Sequence, residues 1–194
     1  LSGTDNDARD YFNKAMLMAY TYVKDESSNY TPRTYPSTSL DSSGWIAPGT
    51  ANITDNLNKS LIDASVNNVK YYQSQNGDYA FIYGDYCDSL GKCVNFIAFR
   101  GTANLENWLS NNIRLENLSL SGKPPASASK WPLNFQIALG FWGDETTKRG
   151  GYISLRAKVL DVISDFDSGK DLLILGHSLG GAFAAFTAID AIYT

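Results

Sequence analysis

A serine hydroxyl attacks an acyl carbon only when it is held at the reacting carbonyl and deprotonated by a neighbouring base. One stretch of this sequence has the residue types for the first of those tasks. Leu172-Leu173-Ile174-Leu175 is a short, wholly apolar run, as expected for a strand buried on both faces, and Gly176-His177-Ser178-Leu179-Gly180-Gly181 follows it directly. The pattern G-x-S-x-G recurs in unrelated proteins. Its setting here, a buried strand before it and an Ala-rich helical pattern over 179–193 after it, is what points to a nucleophile on a strand-to-helix turn. Gly176 and Gly180 flank the tight backbone, where side chains would collide, and Gly181 permits close packing of helix on sheet. Ser178 is therefore the candidate nucleophile, projecting above the sheet at the positive end of the helix, with the Leu179 amide placed to stabilise an oxyanion.

The second task has no candidate. In this architecture the base and its orienting carboxylate follow the nucleophile in the order Ser, Asp, His. After Ser178 the only acid is Asp190, well along the following helix, and the only histidine in the sequence is His177. As the residue just before the nucleophile, His177 points away from it across the turn and is expected to be structural. These residues thus carry the nucleophile half of a site without a complete triad. The expectation is that the Asp and His belong to a missing or separate C-terminal polypeptide, through nicking or a split chain, or that the sequence is a fragment. The chain by itself is then expected to fold poorly and to show no esterase activity.

The elements that must position Ser178 are legible in part. Tyr11, Ala15, Met18 and Tyr22 fall at helical spacing over 5–23, whereas 25–60, rich in Ser, Thr, Asn, Asp and Pro, reads as loop wrapped on a surface. Strand signals over 69–73, 79–86 and 94–99, with turns at Asn76-Gly77 and between Cys87 and Cys93, predict an antiparallel meander. A helix is expected over 146–166 on the stripe Ile153, Ala157, Leu160 and Ile163, its start weakened by Gly150-Gly151.

Composition narrows the function classes. The chain has 194 residues, 43% of them apolar, enough for one domain with a sizeable core. Only 19% are charged and the net charge is -4, so there is no basic stripe for a phosphate backbone and nucleic acid is not expected as a partner. No apolar run approaches the roughly 20 residues that span a bilayer, and 1–10 lacks the regions of a signal peptide, so the sequence reads as a mature soluble protein. Cys87 and Cys93 could staple the hairpin they close or remain two free thiols, and their spacing binds no metal without further ligands. Asn29, Asn52, Asn58 and Asn117 each begin an N-x-S/T triplet that permits glycosylation on a secretory route. No metal or organic cofactor is implied.

Gly176-His177-Ser178-Leu179-Gly180-Gly181, Phe96-Ile97-Ala98-Phe99-Arg100-Gly101-Thr102 at a strand end, and Asn107-Trp108 shortly after, together resemble the fungal-type class 3 lipase family over most of the chain. The family includes feruloyl esterases and plant lipase-like proteins. The resemblance implies an α/β-hydrolase fold: a central, mostly parallel sheet with helices on both faces, here a single partial domain over 1–194. It places the other oxyanion-hole donor on Thr102. It also makes 103–111, with Leu105, Trp108 and Leu109, a helical lid that opens at a lipid surface, an ordinary surface helix being the alternative. Ile137-Ala138-Leu139-Gly140-Phe141 resembles the family's V-H-x-G-F segment, with Ala138 where a His is usual. The function so implied is that of a secreted serine carboxylic ester hydrolase, an acylglycerol lipase acting through an acyl-enzyme on Ser178. A feruloyl-type esterase on the same scaffold and a lipase-like binding protein without turnover are the alternatives.

Overall fold

The computed structural model describes residues 21–24, 30–32, 45–50, 66–74, 79–88, 90–101, 120–121, 126–132, 137–147 and 150–193. They fall into two compact units, the first drawn from Leu1–Ala103 and Asp167–Gly180, the second from Asn104–Phe166 and Gly181–Thr194.

The first unit is built on a five-stranded sheet. Its strands are β3 (Trp45–Thr50), β4 (Val66–Ser74), β5 (Ala80–Cys87), β6 (Cys93–Phe99) and β9 (Leu172–Gly176), and they lie side by side in that order. Apart from it, β1 (Tyr22–Lys24) and β2 (Tyr30–Pro32) form a two-stranded ladder. The expected meander is present, since β4, β5 and β6 pair antiparallel in sequence. Alternation and continuity of apolar residues decide which strands are covered. In β6, Val94, Phe96, Ile97, Ala98 and Phe99 are all buried, as a central strand between two neighbours requires. On one face Tyr71, Ala80, Ile82, Tyr86, Val94, Phe96 and Ala98 form a core into which Leu173 and Leu175 of β9 also pack. On the other, Phe81 of β5 stands opposite Phe99, with ring centroids 5.6 Å apart.

Four expectations are corrected here. The α/β character stands, but among the described residues the one parallel pairing in this sheet is β6 with β9, and the other three pairings are antiparallel. β9 was expected to be buried on both faces. All five of its residues are instead half-buried, because β9 ends the strand order and has a sheet neighbour on its β6 side only among the described residues. The stretch read as loop contains β3, an edge strand among the described residues, whose register with β4 shifts between Ile46 and Gly49. Pro48 falls inside that irregularity, where a residue without an N–H donor can be accommodated, and it is what hid the strand. The helix expected over 5–23 lies outside the described residues up to position 20, and Tyr22 and Val23 belong to β1.

The second unit contains a short ladder of β7 (Leu120–Ser121) with β8 (Ile137–Ala138), a 3-10 turn over Ala126–Ala128, and the helices α1 (Leu139–Trp142), α2 (Ile153–Ser164) and α3 (Leu179–Tyr193), the last of which starts in the first unit. The segment compared with V-H-x-G-F is thus the β8 to α1 junction. The helix predicted over 146–166 begins only at Ile153, because Gly150 and Gly151 adopt φ 66° and 58°, outside the helical region. A Cβ at Gly151 would also lie 2.5 Å from the carbonyl oxygen of Phe141, so α1 and the entry to α2 meet backbone to backbone. Around this junction Trp131, Trp142, Tyr152, Phe183 and Phe186 pack ring against ring, with centroids 5.2 to 6.1 Å apart.

Candidate active site

Two residues, His177 and Ser178, turn the chain from the end of β9 into the start of α3. A reversal that short forces one of them into a left-handed conformation, and Ser178, at φ 54°, is the only non-glycine residue with positive φ among those described. For a residue with a Cβ that conformation costs on the order of 1–2 kcal/mol, so it persists only where the surroundings impose it. Three contacts do so. The Gly180 N–H donates to the His177 carbonyl at 2.9 Å and closes the turn. β9 is held to β6 by a parallel register that sets Gly176 beside Phe99. Gly180 lies so close to the end of β6 that a Cβ there would be 2.4 Å from the Phe99 oxygen and 2.9 Å from that of Arg100.

The result is an exposed Ser178 over buried Leu179 and Gly180. Leu179 is the first residue of α3, so its N–H has no intrahelical acceptor and lies at the positive end of the helix dipole. The contact of Gly180 with Phe99 and Arg100 brings the two sequence motifs together, since the chain leaves β6 beside the serine turn. Arg100 is buried and its N–H donates to the Ala80 carbonyl at 3.0 Å, which fixes the strand end from its other side; Gly101 is buried as well. Thr102 lies outside the described residues, as do Leu105, Trp108 and Leu109 and the asparagines Asn29, Asn52, Asn58 and Asn117. His177 is exposed.

Cys87 and Cys93 form a disulfide across the β5–β6 hairpin, with Cα atoms 4.0 Å apart. They face each other in the ladder register, and the Asp88 side chain orders the turn beyond them by accepting the N–H groups of Leu90 and Lys92 at 2.9 and 2.8 Å. This staple sits at the start of β6, the strand's far end from the serine turn.

Asp190 is not a catalytic acid in waiting. It is fully buried, and each carboxylate oxygen takes two donors. Oδ1 accepts Trp131 Nε1 at 2.8 Å and Arg156 Nη2 at 2.8 Å, and Oδ2 accepts Arg156 Nε at 2.7 Å and the Tyr152 hydroxyl at 2.9 Å. Burial, reinforced by the Asp190 charge, pushes the Tyr152 phenol well above the ordinary value of 10.0, so it remains a donor. For Arg156 burial acts downward but is outweighed by the hydrogen bonds and charge of Asp190, and its net shift is upward. Sequence reading missed this cluster, because a lone acid on an Ala-rich helix carries no mark of its partners.

Among the described residues no group of three or more His, Cys, Asp or Glu side chains could hold a metal ion, and no helix is long and apolar enough to cross a membrane. A strand, a left-handed serine and a helix, set beside the end of the adjacent parallel strand, are the serine turn of an α/β-hydrolase. Residues 96–194, more than half of the chain, match the family described as Lipase (class 3), and the chain belongs to that family. The family makes it a lipase or ester hydrolase in general terms. Comparison with curated proteins and with solved structures gave no match.

Proposed function

We propose that the protein is a secreted serine carboxylic ester hydrolase, an acylglycerol lipase, with Ser178 as nucleophile. The observation that carries this reading is the left-handed Ser178, exposed at the start of α3 and beside the end of β6. In the reaction Ser178 Oγ bonds to the ester carbon and passes its proton to the base, and the developing oxyanion is held by the Leu179 N–H and by Thr102. Collapse expels the alcohol, which takes up that proton, and water then releases the acid from the acyl-enzyme. Asp190 is committed to Arg156, Trp131 and Tyr152, and His177 precedes the nucleophile, so neither is assigned as the carboxylate or the base. The segment 103–111, with Leu105, Trp108 and Leu109, acts as a lid whose apolar face favours a lipid surface over water. Secretion is supported by the Cys87–Cys93 bridge, with Asn29, Asn52, Asn58 and Asn117 as glycan sites.

The test uses the full-length protein and a fluorophosphonate probe, followed by peptide mapping. Labelling at Ser178 that disappears in Ser178→Ala is the expected result, and an unlabelled Ser178 in folded protein reduces it to a binding module. Faster turnover of emulsified triacylglycerol than of a dissolved short-chain ester separates a lipase from a feruloyl-type esterase.

A further inference from the structure

We infer that Asn95 is a positioning residue for ester hydrolysis: its side chain pins the loop that leads into β9 against the start of β6, and this sets how far along β6 the strand leading to Ser178 lies. The inference rests on the reading of Ser178 as nucleophile. Asn95 is a polar residue buried in an otherwise apolar strand, a costly placement unless its amide is bonded. Its Nδ2 donates to the Asp167 carbonyl at 2.8 Å and its backbone N–H to the Asp171 carbonyl at 2.9 Å, so one residue holds both ends of the loop 167–171. Asp85 stands opposite Asn95 on β5 and accepts Lys170 Nζ at 3.0 Å, a second tie to the same loop. Within the loop the Lys170 N–H donates to the Asp167 carbonyl at 3.1 Å and the Gly169 N–H to Asp167 Oδ1 at 2.9 Å, which closes it into a turn. β9 itself specifies its register weakly. Leu172, Leu173, Ile174 and Leu175 are alike in character and all half-buried, and the bonds of a parallel pair are evenly spaced, so a slip of two residues would keep an apolar side chain on each face. Such a slip would carry Ser178 about 6.6 Å along the sheet, at about 3.3 Å per residue, whereas an error of about 1 Å in the placement of a reacting group can cost about 100-fold in rate. The apolar run therefore needs its register defined at its ends. Gly180 against Phe99 does this at the exit, and Asn95 does it at the entry.

The experiment uses the full-length protein well below each variant's Tm. It measures the rate constant for fluorophosphonate labelling of Ser178, kcat and KM on a dissolved short-chain ester, and amide hydrogen exchange over 171–176. Asn95→Ala withdraws the side-chain donor, and Lys170→Met withdraws the tie to Asp85 while keeping an apolar stem. The expected result for Asn95→Ala is a fall of about 3- to 10-fold in labelling rate and kcat, with KM within about twofold of the parent and faster exchange over 171–176. Lys170→Met should show the same pattern at smaller size. Ile82→Val is the control for lost stability alone: Ile82 packs in the core on the face of the sheet away from Asn95, so the variant lowers Tm and leaves the labelling rate unchanged. Should Asn95→Ala fail to fold, Asn95→Ser, whose hydroxyl stops a bond short of the Nδ2 position, takes its place. A parent-like labelling rate without the Asn95 amide overturns the positioning role alone, and so does an equal fall in Ile82→Val. A parent protein that does not label at Ser178 overturns the nucleophile and the positioning role together.

Discussion

A Cβ placed on Gly180 would stand 2.4 Å from the carbonyl oxygen of Phe99, so the first turn of α3 touches the end of β6 through backbone atoms. Neither partner is the tip of a flexible side chain, and the methyl group of alanine could be admitted only by moving the helix or the strand. Gly180→Ala should therefore cost about 1–3 kcal/mol in chemical unfolding and should depress Ser178 labelling more strongly than an alanine elsewhere on α3. Parent-like stability and labelling would show that the helix can retreat without consequence.

Ser178→Gly should separate stability from chemistry. Glycine adopts φ 54° without the clash that a Cβ suffers, so this variant should be more stable than the parent by about 0.5–1 kcal/mol while losing at least about 10⁴-fold in kcat. Ser178→Ala keeps the Cβ and should lose the activity without the gain. Paired urea titrations of the two variants decide the point, and equal midpoints would argue against strain at this residue.

Stability above pH 10 should report Tyr152. Its folded-state value is raised well above 10.0, so the native protein keeps a proton that the unfolded chain gives up. The contribution is complete below pH 10 and diminishes as the pH climbs through the raised value, at up to about 1.4 kcal/mol per pH unit for one group. Tyr152→Phe should be less stable at neutral pH, by about 1 kcal/mol for the lost bond to Asp190, and should show a shallower alkaline decline. Urea midpoints between pH 8 and 11 test both parts, and parallel curves for the two proteins would contradict the assignment.

Removing the bridge with Cys87→Ser and Cys93→Ser should lower stability by about 2 kcal/mol, the loop it closes being short. Turnover measured well below Tm should hardly change, because the bridge is at the opposite end of β6 from the serine turn. A fall in kcat as large as that of Gly180→Ala would mean that β6 transmits disturbance along its length.

The serine turn was legible because its signals are local: an apolar strand, glycines at 176 and 180, and a helical pattern follow one another without a gap. The meander was legible for the same reason, its second turn being marked by the cysteine pair, whereas Asn76-Gly77 lies outside the described residues. Other features escaped because their causes are distant or masked. β3 is interrupted by Pro48 and Gly49 at a register shift, so its alternation is broken where a strand signal would be sought. The start of α2 depends on Gly150 and Gly151 both being left-handed, which composition alone does not reveal. The partners of Asp190 at 131, 152 and 156 lie far from it in sequence, and no periodicity within α3 announces them.

The ladder that joins β6 to β9 pairs residue 95 with 172 and residue 99 with 176. Bringing such distant segments together requires ordering a long intervening stretch before the first bond between them repays the entropy. The hairpins of the meander need no such wait. Formation of the turn that carries Ser178 is accordingly tied to a slow class of contact, and during refolding the recovery of a reactive Ser178 should lag behind closure of the β4–β5–β6 hairpins.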